Sequence, residues 1–270
     1  MRLRRLFEKI KIRGNEIFKK SNYSLFVELV RAKFKVIDHN SVLGFFWSLI
    51  SPLFTLFAMY LVFNAPFGQD IRAYPFYLLV GIICVNFFVT TTTYIIRLLF
   101  FNRDIILNSM ISREIFILAD TFIPTYKFII ELILCIILSV FYNIFSWKSI
   151  LLLLPLSISY IVFVLGVGLT ISLIYCFAKD IEHIWMIISR LLYFVTPIFY
   201  TLDKFSPLTR KIIYWANPLT PFLLSFQQVL IGQNNIDIFT YLYCLLLGTT
   251  FFIASCFAFM LLESTAVERV

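Results

Sequence analysis

Charge is scarce in this sequence: 14% of its 270 residues are Asp, Glu, Lys or Arg, while 61% are hydrophobic. Soluble domains run nearer one quarter charged and half apolar. Several apolar runs reach the roughly 20 residues needed to cross a hydrocarbon core. Together these exclude a soluble globular domain, which has nowhere to hide so many uncharged faces. Histidine is nearly absent; His39 and His183 are too separated to suggest a metal site. The cysteines (Cys84, Cys135, Cys176, Cys244 and Cys256) are odd in number, widely spaced and set in apolar runs. That pattern gives neither metal-ligand nor redox spacing, and they read as small packing residues. There is no G-x-x-x-x-G-K-[ST] phosphate loop, no H-E-x-x-H and no G-x-S-x-G. No catalytic residue and no cofactor is therefore assigned, and any driving energy comes from a partner, an ion gradient or the substrate. No cleavable signal peptide is visible, because Met1 to Lys20 mixes charge with apolar side chains throughout.

What is present reads as an all-α membrane protein with six transmembrane helices. Residues 1–40 form a basic arm and an interfacial helix, and residues 41–270 one membrane domain. In 21–37, Leu25, Phe26, Leu29, Val30, Phe34 and Ile37 recur at helical spacing, with Glu28, Arg31 and Lys35 on the other side. That stretch is too charged to span and is expected to lie in the membrane interface. The spans are expected at about 42–64, 75–96, 116–141, 149–177, 184–200 and 236–262. The segment 201–235 carries Pro207, Pro218 and Pro221, which argue against a straight span. It reads as two short re-entrant or interfacial helices.

Basic residues set orientation. Eleven of the 23 Lys and Arg precede Ser41. With Arg97, Arg103, Arg113, Lys179 and Arg269 they make sixteen on the expected cytoplasmic side. The other side has five: Arg72, Lys148, Lys204, Arg210 and Lys211. Both termini are thus expected inside the cell, at the plasma (inner) membrane. A nucleic-acid-binding arm is the alternative for the basic N-terminus, and the topological reading is preferred, so no nucleic-acid partner is expected.

Polar residues inside spans are the best remaining signal. Asp120, Lys127 and Glu131 fall on one face of the third span. Two readings stand: a structural Lys127–Glu131 pair, which is favoured, and direct contact with a substrate. Aromatic residues are 19% of the chain; most suit packing and interface anchoring, and some suit a sugar passage.

Four stretches resemble one family. Ser41-Val-Leu-Gly-Phe-Phe-Trp47 followed by Pro52 is similar to an S-x-L-G-x-x-W entry to the first span. Asn102-Arg-Asp-Ile105 through Ser112-Arg-Glu-Ile115 is similar to an N-R-D-L…P-R-E-I cytoplasmic segment. Lys179-Asp-Ile-Glu-His-Ile184 resembles an R-D-I-x-x-I loop. Thr196-Pro-Ile-Phe-Tyr200 with Asn217-Pro-Leu-Thr-Pro221 resembles a T-P-V-x-Y…N-P-x-x-P end. In order and spacing these resemble the permease subunits of type-2 ABC transporters that export O-antigen, teichoic acid or capsule.

The resemblance implies a homodimer bound to two cytoplasmic ATPase subunits, which hold the ATP and Mg. It implies that Asn102, Arg103, Asp104, Arg113, Glu114, Lys179 and Asp180 couple to those ATPases. It implies external gate helices in 201–235, with Pro197, Tyr200, Asn217, Pro218 and Pro221 at the gate. The implied cargo is a lipid-linked glycan. A lipid or drug exporter of the same fold, and an integral membrane glycosyltransferase, are the alternatives.

Overall fold

The computed structural model describes residues 20–38, 46–68, 71, 73–97, 113–144, 146–231 and 236–269. Among these the chain is all-helical. Its α-helices are α1 (Lys20–Asp38), α2 (Phe46–Phe67), α3 (Tyr74–Ile96), α4 (Arg113–Phe141), α5 (Trp147–Phe177), α6 (Ile181–Val195), α7 (Pro207–Ala216), α8 (Leu219–Ile231) and α9 (Ile238–Arg269). A 3-10 turn, Leu202–Lys204, precedes α7.

Among the described residues five segments, Ile50–Phe67, Tyr74–Ile96, Ile117–Phe141, Trp147–Phe177 and Ile238–Leu262, are long and apolar enough to cross a membrane. They match five of the expected spans. The helix expected at 184–200 is shorter: α6 has 15 residues, about 22 Å at 1.5 Å per residue. It stops because Pro197 pushes Thr196 out of the helical region, to φ −75° and ψ 135°. The expected pair of short helices after residue 200 is present as α7 and α8.

α3 lies at the centre. Its sequence is apolar on every face, as a helix buried all round requires, and α2, α4, α5, α6 and α8 all pack on it. The core is aromatic. Phe87 stacks on Phe128 at 4.3 Å, Tyr160 meets Phe222 at 5.0 Å, and Phe163 meets Phe222 at 5.1 Å. The Tyr160 hydroxyl, fully buried, donates to the Cys84 carbonyl at 2.8 Å. By contrast α2, equally apolar, leaves Phe54, Phe57, Leu61 and Val62 uncovered.

α5 and α9 form the most extensive helix pair. Small residues allow it: a Cβ at Gly248 would stand 2.4 Å from the Ser159 carbonyl oxygen, and one at Gly166 3.1 Å from the Phe252 Cα. Hydroxyls then stitch the seam. Ser159 Oγ donates to the Cys244 carbonyl at 2.9 Å, Tyr241 to the Leu152 carbonyl at 2.9 Å, and Thr170 and Ser255 lie 3.0 Å apart. The tight turn from α4 to α5 follows from Asn143, which adopts the left-handed conformation at φ 53°. The Ile144 and Asn143 amides donate to the Ser139 and Val140 carbonyls, each at 3.0 Å, which closes the helix end as a Schellman motif.

Candidate functional site

At the end where α3 finishes, Arg97 pairs with Glu182 at the start of α6. One turn further in, the buried Trp185 Nε1 donates to Thr92 Oγ1 at 3.0 Å. These two contacts clasp α6 to α3. Lys179 and Asp180 form the exposed turn before α6, and the Asp180 carbonyl accepts from the Ile184 amide at 3.1 Å. Of the other residues expected to couple to a partner, Asn102, Arg103 and Asp104 lie outside the described residues. Arg113 and Glu114 open α4.

The structure divides the intramembrane stripe in two. Lys127 Nζ stands 3.8 Å from the Glu131 carboxylate, with Glu131 buried and Lys127 partly open. A cavity of about 20 Å³ beside them is lined by Asn86, Thr90 and Pro124, enough for roughly one water. Asp120 is bound elsewhere: it pairs with Lys33 of α1. Phe34 meets Phe122 and Tyr126 of α4 edge-on at 6.2 and 5.4 Å, and Phe26 meets Phe122 at 5.9 Å. The apolar side of α1 thus lies on α4, while Glu28 and Arg31 face outward. Sequence reasoning found the charged face of α4 but missed Lys33 as the partner of Asp120.

At the opposite end of α3, about 35 Å away for its 23 residues, the irregular stretch 196–200 is held by its backbone. Tyr77 donates to the Pro197 and Tyr200 carbonyls at 3.2 and 3.0 Å, and Tyr74 to that of Phe199 at 3.0 Å. Gly81 lets the stretch come close, since a Cβ there would stand 2.8 Å from Ile198 Cγ2. Asn217 Nδ2 donates to Thr196 Oγ1 at 2.8 Å, and Asn217 Oδ1 accepts from the Leu219 amide at 3.0 Å. The two motif stretches, Thr196–Tyr200 and Asn217–Pro221, therefore meet through a single buried amide. Pro218 breaks the chain between α7 and α8, and Pro221 is buried in the first turn of α8. The Tyr200 hydroxyl reaches back to the Phe194 and Val195 carbonyls, both at 3.1 Å.

Beside this stretch lies a cavity of about 390 Å³ between α7, α8 and the start of α9. Tyr77, Leu202, Gln227 and Thr240 on its wall are buried, while Asp203, Arg210, Lys211 and Trp215 on its rim are exposed. Arg210 is paired with Asp203 at 3.1 Å. Tyr214 donates to Thr240, 3.0 Å away, which donates to the Asp237 carboxylate at 2.6 Å. That last bond holds the Asp237 carboxyl below the usual carboxylate range. Among the described residues no three His, Cys, Asp or Glu gather as metal ligands.

The family model for the ABC-2 type transporter matches residues 24–231. The chain belongs to the ABC-2 type transporter family. Two relatives from Klebsiella pneumoniae, each an "O-antigen export system permease protein RfbA", are 24% identical over 223 residues, covering 82% of this chain and 86% of theirs. A protein of the same description from Myxococcus xanthus is 22% identical over 206 residues, covering 76% of this chain and 79% of its own. The family match takes in the clasp, the divided stripe, the stretch 196–200 and Asn217. Sequence reasoning missed Tyr74, Tyr77 and Gly81 within this ABC-2 chain. The available signal was local: two tyrosines at i, i+3 and a glycine one turn on mark one helix face, and a glycine inside a helix points to close packing.

Proposed function

We propose that this chain is the membrane-spanning subunit of an ATP-driven exporter, which moves a lipid-linked polysaccharide from the cytoplasmic to the outer face of the inner (plasma) membrane. Two copies make the pathway, and two cytoplasmic ATPase subunits bind the ATP and Mg. α1 lies in the cytoplasmic interface, both termini are cytoplasmic, and α6 with the stretch 196–200 makes the sixth crossing. The segment around Asn102–Met110, with Lys179 and Asp180, engages the ATPase. α7 and α8 are gate helices that re-enter from the outside without crossing.

One observation carries this reading: relatives named for O-antigen export align over 82% of the chain. The internal geometry supports it. α6 runs from the Arg97–Glu182 clasp directly to Thr196, so one short rod joins the proposed coupling face to the proposed gate. The absence of a phosphate loop in the sequence agrees with ATP turnover in a partner.

Cells lacking the chain are expected to lose surface polysaccharide and to accumulate a lipid-linked glycan on the cytoplasmic leaflet, with both restored by the chain. The purified chain alone is expected to hydrolyse no ATP. Unchanged surface polysaccharide in the deletion refutes the glycan assignment and leaves a lipid or drug cargo.

A further inference from the structure

We propose that the 390 Å³ cavity between α7, α8 and the start of α9 is a saccharide subsite, in which the Gln227 amide reads sugar hydroxyls and Trp215 supplies a stacking face. Its source as exported glycan rests on the function proposed above; the chemistry of the cavity is read independently of it.

Gln227 is the central observation. Its residue is 4% exposed, it lines the cavity, and its Nε2 and Oε1 are both buried without a well-formed hydrogen bond among the described residues. The Tyr77 oxygen lies within reach of the Gln227 Nε2, but the Tyr77 proton goes to the Pro197 and Tyr200 carbonyls, so Tyr77 offers Oε1 no donor. A buried amide left short of partners costs stability, and apolar replacement of such a group is neutral or favourable. Its presence points to an occupant with both donors and acceptors.

Size and charge narrow the occupant. A volume of 390 Å³ falls within the roughly 300–1,000 Å³ of small-molecule pockets and far exceeds the roughly 30 Å³ share of one water. Charge on the wall is balanced: Asp203 and Asp237 offset Arg210 and Lys211, and Arg210 is already bound to Asp203 at 3.1 Å. The Asp237 carboxylate is taken by the Thr240 hydroxyl at 2.6 Å and the Phe239 amide at 3.1 Å. That arrangement offers no surplus positive charge for a phosphate. Trp215 is 67% exposed at the rim and stands edge-on to Tyr214 at 5.3 Å and Tyr243 at 5.6 Å. An exposed, braced aromatic ring beside a planar amide suits a ligand with hydroxyls on its edge and apolar C–H on its faces, which is a sugar ring.

The test uses the full chain in nanodiscs, with calorimetric titration of the delipidated oligosaccharide repeat released by mild acid from the surface of the organism that carries this chain. Wild type is expected to bind it saturably. Gln227→Leu is expected to weaken binding at least tenfold without lowering the thermal midpoint of the unliganded protein, a combination that a merely structural glutamine does not produce. Trp215→Leu, at an exposed position, is expected to weaken binding by a similar factor, and it decides the matter if Gln227→Leu does not fold. Unchanged affinity in either folded variant overturns the subsite, as does absence of saturable wild-type binding. Competition by inorganic phosphate overturns the saccharide assignment in favour of an anion site. Absent binding, with surface polysaccharide still restored by the chain in deletion cells, overturns the subsite and leaves the export reading standing. Polysaccharide that persists in the deletion cells overturns the export reading, and the titration alone then decides the subsite.

Discussion

Asn217 is the one side chain that joins the two motif stretches, and its contribution can be measured as a coupling. Asn217 is 3% exposed and Thr196 is fully buried. Thr196→Val keeps the shape and removes the hydroxyl, leaving the Asn217 Nδ2 without its partner at 2.8 Å. An orphaned buried group costs about 1–3 kcal/mol in mutational series, and interhelical polar contacts in membranes average about 0.6 kcal/mol with a maximum near 1.7. A loss of about 1 kcal/mol is expected for Thr196→Val. Asn217→Ala removes that bond and also the one from the Leu219 amide at 3.0 Å, so about 2–3 kcal/mol is expected. In the double variant no Nδ2 remains to be orphaned. Its loss is expected to fall short of the sum by about 1 kcal/mol, as contacting residues do. With roughly 2–4 °C of midpoint per kcal/mol for a domain of this size, that shortfall reads as a few degrees in thermal unfolding of detergent-purified protein. Midpoint shifts that simply add refute the Asn217–Thr196 bond as the link between the stretches.

The α5–α9 seam predicts that Gly248→Ala lowers stability by about 1–3 kcal/mol through overpacking, because the new Cβ meets backbone atoms of Ser159; an unshifted midpoint counts against the close approach. Asp120→Asn is expected to loosen α1 from α4 by about 1 kcal/mol, and exchanging the charges, Lys33→Asp with Asp120→Lys, to recover most of it in limited proteolysis of α1. Lys127→Met is expected to destabilise the fold, since a lone charge near mid-membrane costs roughly 3 kcal/mol. Adding Glu131→Leu is expected to restore both stability and export. A double variant that is stable but does not export shows instead that the pair lines the cargo path.

Much of the helical layout was legible because apolar runs of this length have few other readings. Residues 201–235 were legible as two short helices through Pro207, Pro218 and Pro221, and the observed α7 and α8 begin beside those prolines. The end of α6 was misjudged by five residues, although the signal stood in the sequence as Thr196 before Pro197. The hold on 196–200 was not legible. Tyr74 and Tyr77 were two among many aromatic residues, and the carbonyls of 197–200 that they reach lie 120 or more residues away in sequence. Hydroxyl-to-carbonyl bonds leave no pattern in the acceptor's side chains. The split of the stripe was hidden for the same reason: helical spacing relates Asp120 to Lys127 and Glu131 but says nothing of Lys33 on another helix.

The seam between α5 and α9 also bears on how the molecule is made. α9 is the last of the described helices to leave the ribosome, yet it packs along α5 from Leu152 to Thr170. Until α9 arrives, the Ser159 hydroxyl lacks its acceptor at Cys244 and the notch for Gly248 stays empty. The earlier helices therefore wait in the membrane with one side unfinished. A shift of α9 by one position places Leu247 or Thr249 where only hydrogen fits, so a misaligned arrival cannot close. Closure of the seam and proofreading of the helix register become the same event.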